Sequence, residues 1–469
     1  MVAFKGVPYA AAPVGDLRFR PPRPHPSWSG TRDALTYGAI APQNGSMEAM
    51  LLAGDLPAQS EDCLFLNVVT PNADERRRPV MVWIHGGAYV SGSGSNPWYQ
   101  GDSLAAQGDV VMVTANYRLG SFGFCHLADV GGERFAASGN LGLLDQIAVL
   151  TWVQDNITSF GGDPTNVTIF GESAGAGAVL ALLSSPGAHG LFHKAIAQSA
   201  SFGQFRSRER ADEAARHLLA TLGISDASEL LDRSTEEIMA AQSPVEAPPD
   251  GITAFAPTVD GVVMHAQALD ALRDGSAYRV PLLIGTNRDE MRLFTTFDPS
   301  NASLDEAAVV ARVAKELGTH RAQDVVAAYR AADPHATWGQ IASTIATEHG
   351  FHQPAIQAAE ASAANGNPTW MYRFDWASTA FGGVLGSCHA LEIPFVFDTL
   401  THPGAEMFTG GGDDRQRVAK PMQQAWLRFA HTGDPGWDGY DHRRRATMIF
   451  DITPTLVEDP EANLRQLWP

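Results

Sequence analysis

Cysteine is scarce in this chain, and its placement argues against several architectures. The three residues, Cys63, Cys125 and Cys388, are odd in number and widely spaced, and they form no Cys-x-x-Cys pair. That disfavours a disulfide-stapled fold, a zinc ribbon or a thioredoxin-like redox centre, and leaves buried, reduced thiols as the simplest use. Long apolar runs are also missing, since no stretch approaches the ~20 residues that cross a bilayer. The opening Met1-Val-Ala-Phe-Lys5-Gly-Val-Pro8 lacks a charged segment followed by an unbroken apolar one. No signal peptide is read there, and a cytoplasmic location is expected. Basic residues are outnumbered, 33 against 52 acidic, for a net charge of −19. Such a surface repels phosphate backbones and anionic lipid, so neither nucleic acid nor membrane is an expected partner. Internal repeats, heptad arrays and long low-complexity tracts are absent as well.

What is present describes a soluble α/β protein with a large core. Of 469 residues, 44% are hydrophobic and 18% charged. Proline clusters in the first sixty residues (Pro8, Pro13, Pro21, Pro22, Pro24, Pro26), which predicts an extended wrap over the surface. Buried-strand patterns follow at Leu64 to Val69, Val80 to Ile84, Val110 to Thr114, Asn166 to Phe170, Lys194 to Gln198, Leu282 to Ile284 and Thr369 to Phe374. A helix over Leu141 to Asn156 is predicted to gather Leu144, Ile147, Ala148 and Val149 on one face with Trp152. Strands alternating with helices predict a mostly parallel central sheet covered by helices on both faces.

Residues 207–245 and 303–331 read as polar amphipathic helices, too poor in apolar sequence to form cores of their own. They are expected as insertions, near 207–245 and 303–365, in a single domain spanning 1–469. Ser234-x-x-Glu237 and Ser303-x-x-Glu306 are candidate capping boxes for them. A closing helix is predicted near Met422 to His431, with Pro421 as its first residue.

The most informative segment is Gly171-Glu172-Ser173-Ala174-Gly175, set between a strand-like run and a helical one from Ala176 to Ser184. Strand, Gly-x-Ser-x-Gly turn and helix make a nucleophile elbow, which exposes the serine hydroxyl above the sheet while its backbone is held in a strained turn. Serine is a poor nucleophile and needs an adjacent base, usually histidine, itself oriented by a carboxylate. Acyl transfer further needs donors aimed at the oxygen that becomes negative. Trp83-Ile84-His85-Gly86-Gly87-Ala88-Tyr89 follows a strand and matches the His-Gly-Gly type of oxyanion loop. Gly87 and Ala88 would offer two N–H donors and Ala174 a third. The acid and base should follow the serine in chain order. Asp289 and Glu290 compete for the first role after the Leu282 strand, and His389 lies in a loop after the Thr369 strand.

On these residues the chain resembles the type-B carboxylesterases, the esterase–cholinesterase branch of the α/β-hydrolase fold. Further blocks carry the likeness along almost the whole chain: Phe4 to Ala10, Leu17 to Pro22, Glu61 to Asn67, Asn116 to Arg118, Gly139 to Gln146, Gly285 to Glu290 and His389 to Phe395. The resemblance implies an α/β-hydrolase fold with helical insertions around an active-site gorge. It implies Ser173 as nucleophile, Glu290 rather than Asp289 as acid, and His389 as base. It also implies a buried network of Glu172, Ser199 and Glu392 near the base, and structural ion pairs Arg18–Glu61 and Arg118–Asp145.

Three departures from the family pattern stand out. The β-hairpin that precedes the Phe4 block in the family is expected to be absent. Cys63 faces Ala41 where secreted relatives form a disulfide, and Met291 follows Glu290 where glycine is common.

The expected activity is that of a serine carboxylic-ester hydrolase working through an acyl-enzyme, with no metal or organic cofactor. Small to medium, largely apolar esters are the expected substrates, and monomers or small homo-oligomers the expected assembly. Carbamate, amide or thioester hydrolysis on the same triad is the alternative, with a non-catalytic binding protein on this fold as the rival from another class. Trp98, Phe122, Phe124, Phe202, Phe205, Phe294 and Phe381 are candidates for an apolar pocket. An ordinary histidine base predicts that activity falls on the acid side near ~pH 6–7.

Overall fold

Valine, isoleucine and aromatic residues fill segments that are buried on both faces, and these segments assemble into one sheet. The structure, a computed structural model, describes residues 1–45, 58–200, 202–246 and 254–468. Ten strands are present: β1 Val2–Pro8, β2 Phe65–Thr70, β3 Arg78–Ile84, β4 Val111–Ala115, β5 Gly162–Glu172, β6 Lys194–Gln198, β7 Leu282–Asn287, β8 Thr369–Phe374, β9 Ala446–Phe450 and β10 Thr455–Glu458. Their order is β1-β2-β4-β3-β5-β6-β7-β8-β9-β10. Pairing is parallel from β4 through β3 to β9 and antiparallel at the two margins. β3, β4, β6 and β7 are buried along their whole length, as strands with helices on both faces must be. The fold is that of an α/β hydrolase.

Several local expectations require correction. The proline-rich start is not wholly a surface wrap, because Val2–Pro8 forms the edge strand β1 against β2. In the helix Leu141–Asn156 the buried face is Leu143, Val149, Leu150 and Val153, while Leu144, Ile147, Ala148 and Trp152 are only half covered. The box at Ser234 forms, with its hydroxyl accepting from the Glu237 N–H and the Glu237 carboxylate accepting from the Ser234 N–H. The one at Ser303 does not. Asp305 caps the helix Glu306–Leu317 instead, accepting from the Ala308 N–H at 2.8 Å, and Ser303 donates back to the Ser300 carbonyl. A carboxylate one residue from the helix outcompetes the more distant hydroxyl. Pro421 lies inside the closing helix, which runs Asp414–Thr432, because polar turns ahead of the apolar face extend it toward the N-terminus.

The inserted helices divide unequally. Arg208–Leu222 and Thr235–Val245, between β6 and β7, pack onto the main core. Glu306–Leu317, Thr319–Ala332 and Trp338–Thr347, between β7 and β8, build a small core of their own from Val309, Val313, Val325, Val326, Ile341 and Ile345. The expectation of no separate core fails here because Trp468, remote in sequence, completes it and donates its indole N–H to the Tyr329 hydroxyl at 3.1 Å. The ion pairs Arg18–Glu61 at 2.6 Å and Arg118–Asp145 at 2.7 Å form, and their arginines tie the N-terminal segment to the body by donating to the Leu230 and Arg20 carbonyls. All three cysteines are free and buried.

Candidate active site

Strand β5 ends at Glu172, and the helix Ala174–Leu183 starts two residues later, so Ser173 must turn the chain alone. It does so at φ 57° and ψ −121°, a conformation that strains any residue with a side chain. The flanking glycines are obligatory. A Cβ on Gly175 would stand 2.0 Å from the Ile84 carbonyl oxygen, and one on Gly171 2.6 Å from it. The Ser173 N–H is held by the Gln198 carbonyl at 2.9 Å. Ala174 is the first helical residue, so its N–H has no acceptor within the helix.

Beside the elbow, β3 runs into His85-Gly86-Gly87-Ala88-Tyr89. Gly87, Ala88 and Tyr89 all have positive φ, at 104°, 55° and 63°. A Cβ on Gly86 would sit 3.2 Å from the Ser173 Cβ, so the loop lies directly against the serine. The Gly87 carbonyl accepts from Val90 and Ser91, both at 3.0 Å. Among the described residues no protein oxygen accepts from the N–H of Gly87 or Ala88. His85 stacks on Tyr117 at 4.4 Å, and burial pulls its pKa down to about 4, so it is a neutral packing residue that fixes the loop.

Asp289 and Glu290 differ in their partners. Asp289 is held by Arg288 at 3.0 Å and Arg292 at 3.1 Å, and accepts from the Ser387 N–H at 2.9 Å. Glu290 is fully buried; its Oε1 accepts from the Asn287 N–H at 2.7 Å and its Oε2 meets His389 Nδ1 at 2.6 Å. The other imidazole nitrogen, Nε2, stands 3.1 Å from Glu172 Oε1. Burial alone would lower the His389 pKa, but the Glu172, Glu290 and Glu392 carboxylates outweigh it and raise it to about 9. An imidazole between two carboxylates keeps its proton to higher pH than an ordinary histidine.

Glu172 and Glu392 both connect to His389, the second through Asn287 and Glu290, while Ser199 stands apart from them. Glu172 touches the base directly. Glu392 lies behind it, accepting from Asn287 Nδ2 at 2.6 Å and Gln198 Nε2 at 3.1 Å. Ser199 donates its N–H to the Gly285 carbonyl at 2.8 Å, and its buried hydroxyl has no hydrogen-bond partner among the described residues.

Sequence reasoning missed the residue that braces this arrangement from the rear. His352 places Nδ1 at 2.8 Å from Glu348 Oε1 and Nε2 at 2.8 Å from the Asn287 carbonyl. Both partners are acceptors, so both ring nitrogens must carry protons. Burial opposes that charge, but Glu348 outweighs it and raises the His352 pKa to about 9. No local motif marks His352, since its partner Asn287 is far away in the chain.

Ser173 and His389 open into a cavity of about 420 Å³. Trp98, Leu293, Phe294, Phe351, Ile393 and Phe408 make much of its wall apolar, Gln204, Gln242 and Glu246 add polar groups, and the Gly86–Ala88 loop borders it. Of the aromatics expected there, only Trp98 and Phe294 line it. Phe122, Phe124 and Phe205 belong to the core, Phe381 is 53% exposed on the surface, and the Phe202 side chain lies outside the described residues. Phe351 and Phe408 were missed for lack of any sequence signal. Among the described residues no helix is long and apolar enough to cross a membrane.

The carboxylesterase family pattern matches residues 1–457. The chain belongs to the carboxylesterase family. Para-nitrobenzyl esterase of Bacillus subtilis (strain 168) is 40% identical, over 99% of this chain and 94% of the relative. Phenmedipham hydrolase of Pseudarthrobacter oxydans is 38% identical, over 93% of this chain and 88% of the relative. The crystal structure of a Geobacillus stearothermophilus carboxylesterase superposes with a TM-score of 0.90 at 42% identity, covering 100% of this chain and 96% of that one. The carboxylesterase described here is accordingly a serine ester hydrolase, acting on small-molecule esters.

Proposed function

We propose that this carboxylesterase works through Ser173 as nucleophile, His389 as general base and Glu290 as the orienting carboxylate, in one hydrolase unit formed by residues 1–469. The observation that carries the reading is the 2.6 Å contact between Glu290 Oε2 and His389 Nδ1, in a ring that shares one cavity with Ser173. In the resting geometry His389 Nε2 faces Glu172. The reactive form has lost that proton, and Nε2 turns to the Ser173 hydroxyl in the next residue.

The proton passes from Ser173 Oγ to Nε2 as the oxygen attacks the ester carbonyl. The N–H groups of Gly87, Ala88 and Ala174 receive the oxyanion, each contributing on the order of 3 kcal/mol. The imidazolium formed lies between Glu290 and Glu172, which favours it. It protonates the departing alcohol, and water deprotonated by the same nitrogen then releases the acid from Ser173. The apolar walls suit small to medium, largely apolar acyl groups. Ser173→Ala is expected to lower kcat on 4-nitrophenyl butyrate by at least about 10⁴-fold with an unchanged circular dichroism spectrum. Retained turnover would refute the assignment.

A further inference from the structure

We propose that Glu246 forms a subsite for a protonated amine on the substrate, so that among esters of equal size and shape those bearing a cationic nitrogen react preferentially. The inference rests on the reading above, in which the cavity at Ser173 is the reaction site. Glu246 lines that cavity together with Gln242, on the side of the Gly87–Ala88 loop. The link to that loop is continuous. Gln242 Nε2 donates to Glu246 Oε1 at 2.7 Å, and Gln242 Oε1 accepts from the Ser121 N–H at 2.7 Å. The neighbouring Gly120 N–H reaches the carbonyl of Tyr89, the residue after Ala88, at 2.7 Å.

Among the described residues no Lys or Arg pairs with the Glu246 carboxylate. Glu246 is the C-cap of the helix Thr235–Val245, where the helix dipole disfavours negative charge. Burial raises its pKa to about 7, against the hydrogen bond from Gln242 that lowers it. Gln242 is its hydrogen-bond donor, and no Lys or Arg lines the cavity among the described residues. Among the described residues the other charged groups on the cavity wall are Glu172 and His389, which stand 3.1 Å apart.

A carboxylate kept against burial and dipole, in a cavity whose histidine is already held by Glu290 and Glu172, gains most when a ligand brings a further cation. An ammonium group supplies the missing charge and an N–H donor, and the Phe351 and Phe408 walls offer aromatic faces to it. A carboxylate-bearing substrate would meet two like charges instead.

The test compares 2-(dimethylamino)ethyl butyrate, cationic at pH 7.5, with its neutral isostere 3-methylbutyl butyrate. The wild-type enzyme is expected to favour the cationic ester in kcat/KM by about tenfold, the scale of one charge-assisted contact in a half-buried site. Glu246→Gln should bring the ratio to near one, and Glu246→Asp should restore part of it. Butyldimethylammonium should inhibit the wild type competitively, with a Ki several-fold higher in Glu246→Gln. A ratio near one in the wild type, or a ratio and Ki unaltered by Glu246→Gln, would overturn the subsite. Loss of both reactions in Ser173→Ala shows that the reaction site itself stands, so failure of the subsite is told apart from failure of the site.

Discussion

Two buried histidines flank the same turn and have been given opposite tasks. His389 and His352 each present Nδ1 to a glutamate, at 2.6 Å from Glu290 and 2.8 Å from Glu348, and each is raised to about 9. They differ at Nε2. His352 is fixed on the Asn287 backbone carbonyl and cannot change partner without unmaking the turn. His389 faces the Glu172 side chain at the edge of the cavity, where Ser173 is the adjacent residue. Under the proposed mechanism, a carboxylate partner alone does not make a base; the freedom of the second nitrogen does. Asn287 joins the two halves, since it gives its N–H to Glu290, its side-chain amide to Glu392 and its carbonyl to His352.

Breaking the cavity side should have the largest effect. Glu290→Gln keeps the shape but presents a donor to Nδ1, and is expected to reduce kcat by roughly 10³–10⁴-fold. Asp289→Asn, one residue away, should stay within about tenfold, as its partners are Arg288, Arg292 and the Ser387 N–H. Steady-state kinetics on 4-nitrophenyl butyrate separate the two, and equal losses would dissolve the distinction between them.

Breaking the rear side should read mainly in stability. His352→Gln strands Glu348 as a buried carboxylate and is expected to cost about 3–5 kcal/mol in urea unfolding. Adding Glu348→Gln should recover a large part of that, because the uncompensated charge is gone. A single variant as stable as wild type would show that the pair carries no weight.

Glu172→Gln sharpens the comparison at Nε2. Removing one of the carboxylates that hold His389 protonated should move the acid limb of kcat/KM down by about one pH unit. An unmoved limb would mean that Glu172 does not govern the base.

The smallest effect is on stability against pH. For both histidines the folded-state pKa lies above the unfolded value of about 6.5, so the folded chain binds the extra protons. Their contribution is full below about pH 6.5 and is lost as pH rises through about 9. Chemical unfolding at pH 7 and pH 9 should show wild type losing more stability than His352→Gln/Glu348→Gln, which retains only the His389 share.

How far this could be read from the sequence follows from the range of the interactions. The Ser173 elbow and the His85–Tyr89 loop are local: a glycine two residues from the serine and glycines after a strand are demanded by contacts as close as 2.0 Å, and the spacing displays them. The parallel sheet was legible because its strands carry apolar runs such as Val80 to Ile84 and Val167 to Phe170. The choice between Asp289 and Glu290 was not legible from charge or position. It depends on which carboxylate Arg292 and Ser387 occupy, and only the family resemblance pointed to Glu290. His352, Gln242 and Glu246 did not stand out in the sequence, because the pairs Glu348–His352 and Gln242–Glu246, each four residues apart, are ordinary helical spacings, and the groups that place them at the site, the Asn287 carbonyl and the Ser121 N–H, are brought there by chain folding. The same long-range closure, through Trp468, gave the second insertion a core that its own composition did not promise.

The central claim is that Ser173 is activated by a histidine that Glu290 holds. Reaction with a fluorophosphonate probe, followed by peptide mapping, tests it directly. One adduct on Ser173, formed at least about 10³-fold more slowly in Glu290→Gln, is the predicted result. An adduct on another residue, or equal labelling rates in the two proteins, would contradict it.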